Sequence, residues 1–282
     1  MLGHKLVQQF SNDFDVWTTI RRPYADVERF GIFDRDRTIE NAILENDADL
    51  ERLLETVRPD AVVNAVGIIK QVPSSKDLIS TLTVNSILPH RLNEFSSRLG
   101  FRLICVGTDC VFSGEKGNYS EEDRADAYDL YGRSKNLGEV TEGNSITIRT
   151  SIIGRELETS HSMVEWFLSN RGKKVNGYVN AIYTGFPTIV IADIIADLLT
   201  KHADLTGLFH VSSEAINKFE LLEMINRRYN AGIDVARYED FSIDRSLDSS
   251  RFREATGFVP LPWEEMVDRM AADRTPYEAF RK

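Results

Sequence analysis

The first 150 residues alternate short apolar runs with helix-like segments. Asp15 to Ile20 reads as a strand. Leu50 to Val57 reads as a helix, with Leu50, Leu53, Leu54 and Val57 on one face and Pro59 closing it. Ala61 to Val66 is a continuous β-branched and small run, the pattern of a strand buried in a parallel sheet. Val84 to Leu99 is an amphipathic helix ending at Gly100, and Phe101 to Val106 is the next buried strand. Tyr128 to Val140 reads as a helix and Ser145 to Thr150 as another strand. This alternation predicts an α/β fold with a doubly wound parallel sheet. After Thr150 the rhythm loosens. Helices are predicted at Met163 to Leu168, Val190 to Leu199, Lys218 to Tyr229 and, after a turn framed by Pro260 and Pro262, Trp263 to Met270; a strand is predicted at Gly207 to Val211. These segments predict a smaller C-terminal α/β lobe. The division is placed at 1–150 and 151–282, with some of the later segments returning to the main sheet.

Such a fold opens with a strand, a glycine-rich turn and a helix. Here Met1-Leu2-Gly3-His4-Lys5-Leu6-Val7 already reads as the end of the turn and the start of the helix, with Gly3 as the last glycine of a G-x-x-G-x-x-G pattern. The opening strand would lie mid-sheet, and its loss would leave two inner edges about twice the ~4.8 Å strand spacing apart. The start is therefore expected to be internal to a longer reading frame. The alternative is a variant with a rearranged edge.

Composition narrows the class. The chain has 282 residues, 42% hydrophobic and 28% charged, with a net charge of −10. That is ordinary globular usage, and the acidic balance argues against general binding to nucleic acid or a membrane surface. No run approaches the ~18 to 20 apolar residues that span a bilayer. Cys105 and Cys110 make neither a disulfide framework nor a metal site, so the cytoplasm is the expected compartment and no metal is expected.

The sharpest motif is Tyr131-Gly132-Arg133-Ser134-Lys135. Four residues apart, Tyr131 and Lys135 share a helix face. A free phenol has a pKa of ~10, too high for efficient proton transfer at neutral pH, and a neighbouring ammonium lowers it. At ~4 Å and an effective dielectric of ~20 the attraction is about 4 kcal/mol, or about 3 pH units. Upstream, Thr108 stands where a buried strand ends, within Val106-Gly107-Thr108-Asp109-Cys110-Val111-Phe112-Ser113-Gly114. In open α/β sheets ligands bind at that end of the strands. Asn64-Ala65-Val66-Gly67 ends another strand with small residues that let a cofactor approach the backbone, and Asn85 begins the following helix. Plainer roles stand beside these: Asn85 as a helix cap, Asp109 as a turn residue, Cys110 as a small packing residue.

In this order the pieces resemble the extended short-chain dehydrogenase/reductases and, more narrowly, the dTDP-4-dehydrorhamnose reductase family. The blocks that carry the resemblance are Met1-Leu2-Gly3-His4, Arg58 to Ala65, Val84-Asn85, Thr108 to Gly114, and Tyr131 to Glu139, with weaker matches at Tyr183-Thr184-Gly185 and Pro260 to Trp263. The resemblance implies a Rossmann-like NAD(P)-binding domain over 1–150 and a substrate-binding lobe after it. It implies that Tyr131 protonates a carbonyl oxygen as hydride arrives, that Lys135 holds the nicotinamide ribose and tunes Tyr131, that Thr108 polarises the carbonyl, and that Asn85 steadies the proton relay. Gly3, Asn64, Ala65, Val66 and Gly67 would line the cofactor, and Asp47 matches the family's adenine-contacting aspartate.

The second strand ends in Arg21-Arg22, where NAD-preferring relatives place an acid for the ribose 2′-hydroxyl. Guanidiniums suit a 2′-phosphate, which predicts NADPH over NADH, with NAD an alternative. The implied partner is a nucleoside diphosphate sugar. Cys110, Val111, Phe112 and Tyr183 are expected at the substrate, and Arg149, Arg155, Lys173 and Lys174 as sources of diphosphate contacts. The implied reaction is reduction of a 4-keto-6-deoxyhexose nucleotide, in polysaccharide precursor synthesis. Epimerisation or dehydration, and a non-catalytic role like that of the methionine adenosyltransferase beta subunit, remain open, as does a homodimer.

Overall fold

The computed structural model describes residues 1–72, 75 and 77–281. In chain order it comprises α1 (Leu2–Phe10), β1 (Thr18–Thr19), β2 (Thr38–Ile39), α2 (Asp47–Val57), β3 (Ala61–Asn64) and α3 (Leu78–Leu82). A π-helical turn at Thr83–Ile87 leads into α4 (Leu88–Leu99), followed by β4 (Arg102–Val106), α5 (Leu130–Leu137) and β5 (Ser145–Arg149). The later elements are β6 (Ile152–Ile153), α6 (Met163–Leu168), β7 (Lys174–Tyr183), β8 (Phe186–Pro187), α7 (Thr188–Thr200), β9 (Gly207–His210) and β10 (Ile216–Asn217). They close with α8 (Lys218–Arg228), β11 (Asp234–Asp244), α9 (Ser250–Thr256) and α10 (Trp263–Ala271).

The main sheet is parallel, in the order β3-β4-β5-β9. Leu103, Ile104, Ile146 and Ile148 are fully buried in it, each worth roughly 1.5–3 kcal/mol of apolar transfer. Helices flank it, as the alternation predicts, and the Rossmann-like α/β fold is borne out. β9 is the segment after residue 150 that returns to this sheet. β1 and β2 form a separate parallel pair, so β1 and β3 each keep an edge without a strand among the described residues.

The expected strand at Asp15 to Ile20 shortens to Thr18–Thr19, and the expected helix at Tyr128 to Val140 to Leu130–Leu137. The helix expected from Val84 begins in the π turn. Two long strands are additions. β7 pairs in parallel with β11 and antiparallel with β10, making a three-stranded sheet in the C-terminal part. One apolar core runs from Leu2 to Met270 through α1, the main sheet, α7, α8 and α10. Both parts of the chain therefore contribute to one buried body, with the carboxyl ends of β3 and β4 open to the site.

Candidate active site

The site grows from the ends of β3 and β4. Asn85, almost fully buried in the π turn, accepts a hydrogen bond from the Ile68 amide at 2.8 Å and donates to the Ile68 carbonyl at 3.0 Å and to Ser134 Oγ at 3.1 Å. It is not the cap of its helix. It clamps the loop after β3 to α5. A π turn widens the helix by one residue and is often found at functional sites.

After β4, Thr108 is extended (φ −154°, ψ 147°) and starts a 3-10 turn at Asp109–Val111. Its Oγ1 accepts from the Cys110 amide at 3.2 Å and donates to Asp109 Oδ1 at 3.3 Å. Asp109 is thus a buried turn residue whose carboxylate faces the site. Burial raises its pKa, and Arg245 is the main group opposing the rise. Burial, with Asp109 beside it, pushes the Cys110 thiol up to about 11, which leaves it protonated and not a nucleophile at neutral pH.

α5 is capped by Asp129, which accepts from the Gly132 amide at 2.9 Å. Two glycines let this helix touch backbone directly: a Cβ on Gly132 would collide with the Cys110 carbonyl, and one on Gly138 with the Asn85 carbonyl. Through these contacts Tyr131 lies within polar contact of the Thr108 hydroxyl. Lys135, one turn on, donates from Nζ to the Val106 carbonyl at 2.9 Å. Lys70 stands over the Tyr131 ring at 5.5 Å and bonds Asp129 at 2.8 Å.

The electrostatics correct the expected tuning of the phenol. Burial pushes the Tyr131 pKa above its usual value; Cys110, Asp109 and Asp129 add to the rise, and the Thr108 contact opposes it. Burial pulls the Lys135 ammonium down, with Cys105 and Glu139 pulling it back. The Coulomb argument assumed an exposed pair at ~4 Å, whereas here desolvation dominates and the ammonium is turned to a strand carbonyl. A phenol held neutral suits a group that must donate a proton.

Other expected residues separate into those near the strand ends and those committed elsewhere. Ala65, Val66 and Gly67 are exposed beyond β3, and Asn64 Oδ1 accepts from the Val66 amide at 3.2 Å. Met1 supplies α1 with no side-chain cap, and no atom lies within 4 Å of where a Cβ on Gly3 would stand. Arg21 is exposed, but Arg22 pairs with Glu158 at 2.6 Å. Asp47 opens α2 and pairs with Arg91 at 2.8 Å. Val111 and Phe112 are fully buried, and Phe112 stacks on Tyr119 at 4.1 Å. The pair packs apolar core and presents no surface to a ligand. Tyr183 is buried, its ring 5.8 Å from Trp263; its hydroxyl makes no hydrogen bond of good geometry, with Ser151 beside it.

The expected diphosphate cations are placed elsewhere. Arg149 forms a buried two-point bond with Glu139 at 2.6 and 2.7 Å, and Arg155 pairs with Glu165 and Glu278 at 2.5 and 2.6 Å. Lys173 and Lys174 are exposed, Lys174 being 4.0 Å from Asp234. Sequence reasoning missed Asp129, Ser134 and Lys70. Asp129 was legible as an N-cap preceding the helix; the other two are brought in by tertiary packing. A cavity of about 390 Å³ near α1, β1 and β2, lined by residues such as Ser11, Thr18, Asp34 and Arg37, includes none of the catalytic candidates.

A parallel sheet whose strand ends carry a hydroxyl, a tyrosine and a lysine one helical turn apart defines the extended short-chain dehydrogenase/reductases, a class of NAD(P)-dependent oxidoreductases. Within it, the family model described as RmlD substrate binding domain matches residues 1–275, and the chain belongs to that family. The Bacillus subtilis spore coat polysaccharide biosynthesis protein SpsK is 31% identical over 233 residues, 77% of this chain and 81% of that protein. A crystal structure described as a hypothetical dTDP-4-dehydrorhamnose reductase from Sulfolobus tokodaii superposes with a TM-score of 0.75 at 25% identity, covering 93% of this chain and 94% of the other. The dTDP-4-dehydrorhamnose reductase of Bacillus anthracis, solved with NADP, superposes with a TM-score of 0.72 at 19% identity, covering 90% and 96%.

Proposed function

We propose that this protein reduces the 4-keto group of a nucleotide-activated deoxysugar with NADPH, in a route to cell-surface polysaccharide precursors. The observation that carries the reading is the meeting of Thr108, Tyr131, Lys135 and Asn85 at the carboxyl ends of β3 and β4. The residues also suit the cofactor. An ammonium has three donors, and Val106 takes one of those on Lys135, leaving two for ribose hydroxyls. The open first turn of α1, with Gly3 facing free space, suits diphosphate oxygens. Exposed Arg21 suits a 2′-phosphate and favours NADPH over NADH. We assign residues 1–150 to the cofactor and most of 151–282 to the substrate, and expect the protein in the cytoplasm. Among the described residues no helix is long and apolar enough to cross a membrane.

When bound, the nicotinamide supplies the hydride. Tyr131 gives its proton to the carbonyl oxygen as the alkoxide develops, and its raised pKa keeps that proton in place until then. Thr108 fixes the same oxygen by a hydrogen bond. Lys135 holds the ribose and brings a positive charge beside the phenol as it ionises. Asn85 holds α5 against the loop after β3, so these donors keep their spacing.

The test follows NADPH absorbance with dTDP-4-dehydrorhamnose. Oxidation by the wild type, lost in Tyr131→Phe, is the expected result. No oxidation with this or any other keto-sugar nucleotide, alongside tight binding of a partner protein, would overturn the reading in favour of a regulatory role.

A further inference from the structure

The loop after β6 reaches across to the part of the chain assigned to the cofactor. There Glu158 sets one carboxylate oxygen on each of two guanidiniums: Oε2 accepts from Arg22 Nη2 at 2.6 Å and Oε1 from Arg29 Nη2 at 2.5 Å. Both guanidiniums lie over the Phe30 ring, Arg22 at 5.9 Å and Arg29 at 4.9 Å. Arg29 also donates from Nη1 to the Phe280 carbonyl at 3.1 Å, and Phe280 meets Phe30 edge-on at 5.0 Å. The backbone of Arg22 is held as well, its carbonyl accepting from the Asn41 amide at 3.4 Å.

The loop that carries Glu158 is equally well anchored. Leu157 packs on the cluster of Phe30 and Phe280, Arg155 pairs with Glu165, and Glu156 accepts from the His161 and Ser162 amides at 2.8 and 3.2 Å. Glu158 is therefore delivered to the two arginines by an ordered segment. A carboxylate that bridges guanidiniums through separate oxygens matches the way two oxygens of a phosphate would meet them. The difference is strength. A phosphate monoester carries a charge of about −1.5 to −2 at pH 7 and offers three acceptor oxygens, more than a carboxylate on both counts. The Glu158 side chain is 30% exposed, and ion pairs at such exposure are weak. A 2′-phosphate can displace it, whereas the uncharged 2′-hydroxyl of NADH offers nothing to offset the two lost bonds.

We infer that Glu158 is a specificity-determining residue: a tethered anion that occupies Arg22 and Arg29 until the 2′-phosphate displaces it, and so holds down the affinity for NADPH. The inference rests on the proposed placement of that phosphate beside Arg21 and Arg22. An ion pair that served only to tie the loop down would leave the choice between the two cofactors untouched.

Calorimetric titration of the protein with NADP+ and with NAD+ tests it. The wild type should bind NADP+ more tightly than NAD+. E158Q keeps the size of the side chain and removes its charge; it should tighten NADP+ roughly threefold and leave NAD+ within about 1.5-fold. Unchanged or weaker NADP+ binding in E158Q, with the wild-type preference for NADP+ intact, would overturn the inference and leave the cofactor assignment standing. A wild type that binds NAD+ as tightly as NADP+ would overturn that assignment and the inference with it. Should E158Q fail to fold, carbodiimide coupling of wild-type carboxylates read by mass spectrometry replaces it. NADP+ should release Glu158 and raise its labelling above that seen with NAD+, and equal labelling with the two would refute the displacement.

Discussion

The proton-donating half of the site and the half assigned to the cofactor phosphates are built differently. Around Tyr131 every group is fixed by contacts from more than one direction: Asn85 by three hydrogen bonds, α5 by its Asp129 cap and by two glycines against backbone. Around the expected phosphate contacts, Arg21 is exposed, and Arg22 and Asp47 are held by surface ion pairs. Buried donors keep their geometry without a ligand. Exposed cations are positioned by the ligand itself, since surface pairs contribute only about 0–1 kcal/mol. Changes in the first half should therefore damage stability and chemistry together. Those in the second should shift affinity alone.

The comparison is sharpened most by Gly138→Ala. The added methyl must push α5 off the Asn85 carbonyl, so we expect a loss of about 3 kcal/mol in chemical denaturation and at least a tenfold fall in kcat. Stability within about 0.5 kcal/mol of the wild type would show that α5 is not held there.

Acid should weaken the buried half by a similar amount. His210, fully buried, has Nδ1 against the Tyr119 carbonyl and Nε2 against Arg149, an arrangement that suits the neutral ring. Burial lowers its pKa from 6.5 to about 4, with Arg149 adding to the effect. The unfolded chain thus takes the proton first as the pH falls. This contribution is fully present above about 6.5 and drains away as the pH drops towards 4, by about 3 kcal/mol in all. His4, lowered to about 3 by burial, should act in the same direction. Denaturation midpoints across this window should fall less steeply in His210→Gln; an unchanged slope would remove His210 as the cause.

Asn85→Ala should cost about 2 kcal/mol by leaving the Ile68 groups unpaired, and should lower kcat more than it raises any KM. A KM effect alone would make Asn85 a binding residue. The smallest stability effect is expected at the other pole. Arg21→Glu should raise the NADPH KM roughly tenfold, leave the NADH KM nearly unchanged, and alter stability by no more than about 0.5 kcal/mol. Arg22→Glu should do less, because Glu158 already occupies that guanidinium. Equal effects on both cofactors would undo the assignment of the 2′-phosphate.

The same contrast explains what could be read from sequence. The Thr108 and Tyr131 to Lys135 segments were legible because residue type, spacing and strand position coincide there. Val111 and Phe112 were placed at the substrate because they adjoin Thr108, but a 3-10 turn rotates them into the core onto Tyr119. β11 went unseen because its charged residues lie along an exposed face and break the apolar run that marks a buried strand. Arg149 and Arg155 were read as free cations because a charge in sequence does not reveal its partner ten residues away. The spacing of Tyr131 and Lys135 put them on one helix face, yet not the burial that reverses the shift of the phenol.

That reversal is the central physical claim, and it can be measured without turnover. In protein labelled with carbon-13 at the tyrosine ring, the Tyr131 signal, assigned by its loss in Tyr131→Phe, is followed by NMR as the pH is raised. The account predicts a neutral phenol up to at least about pH 10, the ordinary tyrosine value. A phenolate signal appearing near neutral pH in the cofactor-free protein would contradict it.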